Sequence, residues 1–258
     1  MPKRNQRPAF DFDDCVYGIH AVEEALRANE PLRAIHVNAA RGGDPLLRRI
    51  LTTATERKIA VRMEPRAFFE RLPFKAHQGV VAVTPPFPYV ALPELLRRAP
   101  PGQRMFVLLD HLTDPHNVGA IARTAEATGA SGMVLPERRS AGINATVRKA
   151  AAGATAYLPV ARVGSLAGAI RMLKEAGVWA VGADASEGAV DLAKADLNRD
   201  LALVIGAEGE GLGTLIKREC DYLVRIPMRG HVASLNASVA AAVLLYETLR
   251  QRECSLRP

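Results

Sequence analysis

Six short apolar runs, at 105–109, 132–135, 157–160, 179–183, 201–205 and 222–226, alternate with stretches whose apolar residues recur at helical spacing. Runs without polar alternation suit strands buried on both faces. Strand–helix alternation of this kind predicts an α/β fold, a mostly parallel sheet with helices on both sides. Ligands of such sheets bind beyond the carboxyl ends of the strands. Three polar clusters of this chain follow strand ends directly, so they are the first places to look for chemistry.

Ahead of the sheet lies a smaller α/β layer, taken as 14–84, with helices at 19–27 and 45–58 and extended stretches at 34–37, 60–63 and 78–84. Asp44 before Pro45 supplies an N-cap and a first-turn proline. Pro85-Pro86-Phe87-Pro88 fits neither a central strand nor a helix interior, so 85–102 reads as a semi-rigid linker and 103–258 as the second domain. Residues 1–13 read as a basic flexible arm.

No run approaches the roughly 20 apolar residues of a membrane span, so no membrane partner is expected. Cys15, Cys220 and Cys254 are unclustered, which argues against a disulfide framework and a zinc site and for a reducing cytoplasm. No metal is expected. A formal charge of +7 suits a polyanionic partner such as nucleic acid.

The first cluster, Asp110 to Arg123, runs from a strand through a proline turn into a helix that Asn117 could cap. Arg123 points away from the apolar face formed by Val118, Ile121, Ala122 and Ala125. An arginine so placed is either solvated or free to clamp phosphate. His111 and His116 have no paired carboxylate identifiable from spacing and read as structural. The second cluster, Gly206-Ala-Glu208-Gly-Glu210-Gly, follows a buried strand; its glycines permit close backbone approach, but it lacks the phosphate-loop ending and the dinucleotide fingerprint. Carboxylates there suit hydroxyls, an amine or a positive centre rather than a polyphosphate. The third, Ile226 to Ala240, offers Ser234, Asn236 and Ser238 as caps for a final helix where one suffices. At least one is left for other work.

In this order the clusters resemble the three motifs of the SpoU (TrmH-like) family of RNA ribose methyltransferases in the SPOUT superfamily. The resemblance rests on Asp114-Pro115-His116-Asn117-Val118-Gly119 with Arg123, on Val204-Ile205-Gly206-Ala207-Glu208-Gly209-Glu210-Gly211, and on Ile226-Pro227-Met228 with Ser234-Leu235-Asn236-Ala237-Ser238. Gly18-Ile19-His20-Ala21-Val22 and Gln78-Gly79-Val80-Val81-Ala82 resemble the N-terminal substrate-binding domain of members that methylate a guanosine of large-subunit ribosomal RNA.

The resemblance implies a C-terminal domain tied in a deep trefoil knot, with S-adenosylmethionine held by Gly206, Ile226, Met228 and Leu235. It implies a catalytic set of Asn117, Arg123, Glu208, Ser234 and Asn236, and a homodimer formed through the knotted domain. Arg123 is the base such a resemblance proposes. A guanidinium is rarely neutral, so phosphate holding and stabilisation of alkoxide charge suit it better, with the proton relayed by Ser234 or water. A transfer-RNA methyltransferase of the same family and a non-catalytic RNA-binding protein are the alternatives.

Overall fold

The computed structural model describes residues 11–255 apart from Gly42, Gln103, Glu208 and Glu210. Most of the expected basic arm lies outside these residues. Two compact units emerge, one formed by the chain up to Pro88 together with Ile143–Ala156, the other by Tyr89–Gly142 and Tyr157–Pro258.

The first unit contains β1 (Cys15–Tyr17), α1 (Ile19–Arg27), β2 (Ala34–Asn38), α2 (Pro45–Glu56), β3 (Ala60–Glu64), α3 (Arg66–Phe69) and β4 (Val80–Val83). Its sheet runs β1-β4-β2-β3, with only β2 and β3 parallel. The Asp44 carboxylate accepts the Leu46 amide at 3.0 Å and Pro45 opens α2, as the cap signal requires. Val22, Ile35, Leu47, Ile50 and Val80 form its core.

The second unit continues with α4 (Leu92–Arg98), β5 (Met105–Leu109), α5 (Pro115–Ala127) and β6 (Gly132–Pro136). The stretch 85–102, expected as a linker, thus contains a helix, whose Leu92 and Leu95 join the second unit's core. Next comes α6 (Ala145–Ala150), which lies in the first unit although the reading of the sequence placed it in the second domain. There Ala145 packs with Tyr17, Phe69 and Val81, and buried Arg148 pairs with Glu30. A guanidinium this buried requires such a counter-charge.

The remaining elements are β7 (Val160–Val163), α7 (Leu166–Glu175), β8 (Trp179–Ala183), β9 (Val190–Asp191), β10 (Leu201–Ile205), α8 (Thr214–Glu219), β11 (Tyr222–Arg225) and α9 (Ala237–Ser255). The strand expected at 157–160 begins three residues later, because Ala154–Ala156 forms a 3-10 turn. The sheet order is β7-β6-β5-β10-β8-β11-β9, and every described pairing is parallel. Phe106, Leu108, Ala202 and Val204 face the cluster containing α4, α7 and α8. Alternate residues of those strands therefore face the other side, where α5 and α9 pack on each other.

Candidate active site

Parallel register sets Leu109, Ile205, Ala183 and Val224 in line, so the chain leaves β5, β10, β8 and β11 at one edge of the sheet. All three sequence clusters emerge there. A crevice of about 470 Å³ opens beyond the strand ends, lined by Gly206, Ile226, Met228 and Leu235 together with Asp184, Lys217 and Ser234. The four residues expected to hold a cofactor thus share one cavity.

The loop after β10 is shaped by close backbone contact. A Cβ on Gly206 would lie 2.3 Å from the Gly211 carbonyl, whose own amide donates to Ala207 O at 3.0 Å. Only glycine fits at 206. Asp184, at the end of β8, accepts the Ser186 amide at 2.9 Å and pairs with Lys217 Nζ at 2.8 Å. Burial alone would raise its pKa; the Lys217 ammonium and the Ser186 donors outweigh burial and hold it below its ordinary value.

A second cavity, about 440 Å³, lies beside the crevice and shares Ala207 with it; His111, Thr113, Asp114, Asn117 and Arg139 contribute to its wall. Asp114 caps α5, accepting the His116 amide at 2.9 Å, so Asn117 stands inside the first turn instead of capping it. Its Oδ1 accepts a hydrogen bond of 3.0 Å from Asn236 Nδ2, across 119 residues of sequence. Asn236 also caps α9, its Oδ1 accepting from the amides of Ser238 at 2.9 Å and Val239 at 3.3 Å. One amide therefore starts the last helix and fixes a side chain of the first cluster. Ser234 is exposed on the crevice with no hydrogen bond among the described residues.

Arg123 is exposed on α5, lines neither cavity and has no ion pair among the described residues. Glu208 lies outside the described residues. His111, for which spacing identified no paired carboxylate, meets Asp110: Asp110 is buried, and its Oδ1 lies 2.6 Å from His111 Nδ1 while Oδ2 accepts the Gly213 amide at 2.9 Å. Adjacent residues seldom meet in this way, and the spacing carried no signal for it.

The chain matches the SpoU rRNA Methylase family over residues 104–246, and the domain described as RNA 2'-O ribose methyltransferase substrate binding over residues 15–90. It is 43% identical over 243 residues to a putative TrmH family tRNA/rRNA methyltransferase, YacO, of Bacillus subtilis, covering 93% of this chain and 96% of the relative. The SpoU methyltransferase AviRb of Streptomyces viridochromogenes, solved in complex with AdoMet, superposes with a TM-score of 0.78 at 29% identity, covering 93% of this chain and 90% of that one. An AdoMet-bound rRNA methyltransferase of Sinorhizobium meliloti gives 0.74 at 27% identity, covering 92% and 86%.

The crevice suits S-adenosylmethionine. Its volume falls within the range of small-molecule sites, its apolar side chains offer surface to a purine, and Ile226, Met228, Ser234 and Leu235, from the irregular segment between β11 and α9, line it. When bound, the cofactor supplies an electrophilic methyl group. The chain belongs to the SpoU family and is an RNA 2'-O-methyltransferase that uses S-adenosylmethionine.

Proposed function

We propose that this enzyme methylates the ribose 2'-hydroxyl of a guanosine in large-subunit ribosomal RNA, in the cytoplasm. The observation that carries the site assignment is the Asn236–Asn117 hydrogen bond, which ties the third cluster to the first at the border of the two cavities. Asn117 and Asn236 position the ribose, and Ser234 faces it from the crevice. Arg123 holds a neighbouring phosphate and stabilises the alkoxide charge that develops as the methyl group is transferred. Glu208 orients this polar set. Gly206, Ile226, Met228 and Leu235 hold the cofactor. The match to the family described as SpoU rRNA Methylase and the ribosomal substrate named for the Sinorhizobium enzyme support ribosomal over transfer RNA.

The chain works as a homodimer through its second unit, which is threaded as a trefoil knot. In support of the dimer, Val239, Val243 and Tyr246 form an exposed apolar stripe on α9 while Ala241, Leu244 and Leu245 of that helix are buried. α9 packs on α5, the helix that carries Arg123, so both helices belong to the layer a second copy would cover. In support of the knot, the late strand β10 lies between the earlier β5 and β8, an order consistent with exceptional threading.

Mapping ribose methylation in ribosomal and transfer RNA from cells with and without the protein tests the substrate. One lost guanosine methylation in large-subunit RNA is expected; a lost transfer-RNA site instead sinks the ribosomal assignment. Sedimentation of Tyr246→Glu tests the dimer, a monomer being the expected species.

A further inference from the structure

The carboxyl edge of the large sheet continues past the two cavities. Parallel register pairs Leu135 with Arg162 and Pro136 with Val163, so β6 and β7 end on the same edge as β5 and β10. β7 stands three strands from β10, roughly 14 Å at ordinary strand spacing. That end of the edge lies outside the crevice, yet it carries several guanidinium groups.

The loop after β6 is pinned at both ends. The Glu137 amide donates to Val163 O at 2.9 Å and the Ala141 amide to Leu112 O at 2.8 Å, so the loop crosses from β7 to the turn after β5. It carries Arg138 and Arg139, both exposed and without an ion pair among the described residues. Arg139 contributes to the wall of the 440 Å³ cavity, and Arg138 lies between it and the β7 end of the loop. The loop's one carboxylate, Glu137, has its Oε2 near Gly164, past the end of β7.

On the outer side of β7, Val90 bridges to Ala161, which brings Tyr89 beside Arg162. The Arg162 guanidinium lies over the Tyr89 ring, 5.5 Å from its centre, and its Nη2 donates to Glu137 O at 3.2 Å. Ring and carbonyl together hold an otherwise flexible side chain in place. Arg162 is exposed, so a flat cationic group backed by an aromatic ring faces solvent next to the loop that carries Arg138.

A flat cation for a base and a second cation for a phosphate suit unstacked RNA; the bases of a duplex are already stacked and offer no face. We propose that the β6–β7 end of the edge holds a single-stranded flank of the substrate RNA, a few nucleotides from the methylated ribose, with one base on the Arg162 guanidinium and a phosphate on Arg138. The inference rests on RNA being the methyl acceptor and adds the form in which the RNA lies there. The patch stands apart from the methyl donor, so it acts on RNA binding and not on the transfer step.

The test is methylation of total RNA from cells lacking the protein, with the full chain and radiolabelled S-adenosylmethionine at several salt concentrations. Arg138→Ala should raise the half-saturating RNA concentration and flatten its log–log dependence on salt by about 0.7, the share of one single-strand phosphate. Arg162→Lys keeps the charge and loses the plane, so half-saturation should rise about tenfold at unchanged salt slope, the scale of a lost base stack. Tyr89→Phe keeps the ring and should stay within about threefold of wild type. In all three variants kcat and the cofactor dissociation constant should stay within about threefold. A short oligouridine should inhibit the wild-type reaction more strongly than an oligouridine–oligoadenosine duplex of the same length.

Wild-type half-saturation in Arg162→Lys, a wild-type salt slope in Arg138→Ala, or equal inhibition by the duplex overturns the assignment. A variant that loses kcat or cofactor affinity instead also overturns it, because the patch would then act on the crevice. Failure of the wild-type enzyme to methylate this RNA, or to bind the cofactor, sinks the function itself and this inference with it; a working enzyme whose variants keep their RNA affinity sinks this inference alone.

Discussion

The crevice beyond β10 and β11 is walled largely by backbone and apolar side chains, whereas the cavity beyond β5 is walled by groups that donate, accept or carry charge. The first is defined by the path of the chain, the second by the identity of side chains. Substitutions should therefore act differently in the two places. In the crevice, damage follows from moving the backbone; in the cavity, it follows from deleting a functional group on an intact fold.

Gly206→Ala is the strongest test of the crevice. The added methyl meets the Gly211 carbonyl at 2.3 Å, and backbone on both sides leaves the loop no rotamer to adjust. Calorimetry should find cofactor affinity lowered by more than about 100-fold, whereas Met228→Leu, a volume-conserving change, should cost less than about threefold. Retained affinity in the alanine variant breaks the contrast.

Arg123 tests the other side. In Arg123→Ala, cofactor affinity should be unchanged while the single-turnover rate falls at least about 100-fold, the scale of a lost transition-state contact. Arg123→Lys should recover part of that loss, because a point charge still attracts phosphate. A near-wild-type rate in the alanine variant removes both proposed roles of this residue.

Asn236 belongs to both regions, and two substitutions separate its roles. Asn236→Asp keeps a side chain able to cap α9, so stability should hold, but it replaces the amide that donates to Asn117 with an acceptor. Its rate should fall about tenfold at unchanged denaturation midpoint. Asn236→Ala should lose the same activity and an additional ~0.5–2 kcal/mol of stability with the cap. Equal activity in the aspartate variant and the wild type reduces Asn236 to a cap.

The fold was more legible than the site's wiring. Runs such as Met105–Leu109 and Leu201–Ile205 specify buried parallel strands by themselves, and Asp44-Pro45 marks a helix start by local chemistry. The position of α6 was not legible, because the partners of Ala145 and Arg148 lie more than 60 residues away and no local pattern encodes them. Asn117 was visible as a helix cap and Asn236 as one of three cap candidates where one suffices, yet their bond exists only once the sheet brings the strand ends together. The Asp110–His111 pair was not legible for a local reason: side chains at adjacent positions point apart in ordinary backbone, and here His111 has a φ of +58°. Spacing rules assume regular backbone, so they fail where the backbone is strained.

The smallest expected effect concerns Asp184, the charged group most deeply set in the crevice wall. Its oxygens already accept from Ser186 and Lys217, which leaves it a supporting role rather than a cofactor contact. Because its folded pKa is depressed, its ionisation contributes stability above the ordinary carboxylate pKa near 4, and that contribution is lost as pH falls through the lower folded value. Asp184→Asn should therefore unfold with a flatter acid-side stability curve than wild type. At neutral pH it should lose on the order of 1 kcal/mol by urea denaturation. Cofactor affinity should change by less than about tenfold, since the amide keeps an acceptor for Ser186 and the backbone walls are untouched. A larger loss would mean that the crevice, like its neighbour, depends on the charge of a particular side chain, and the distinction between the two cavities would fail at this residue.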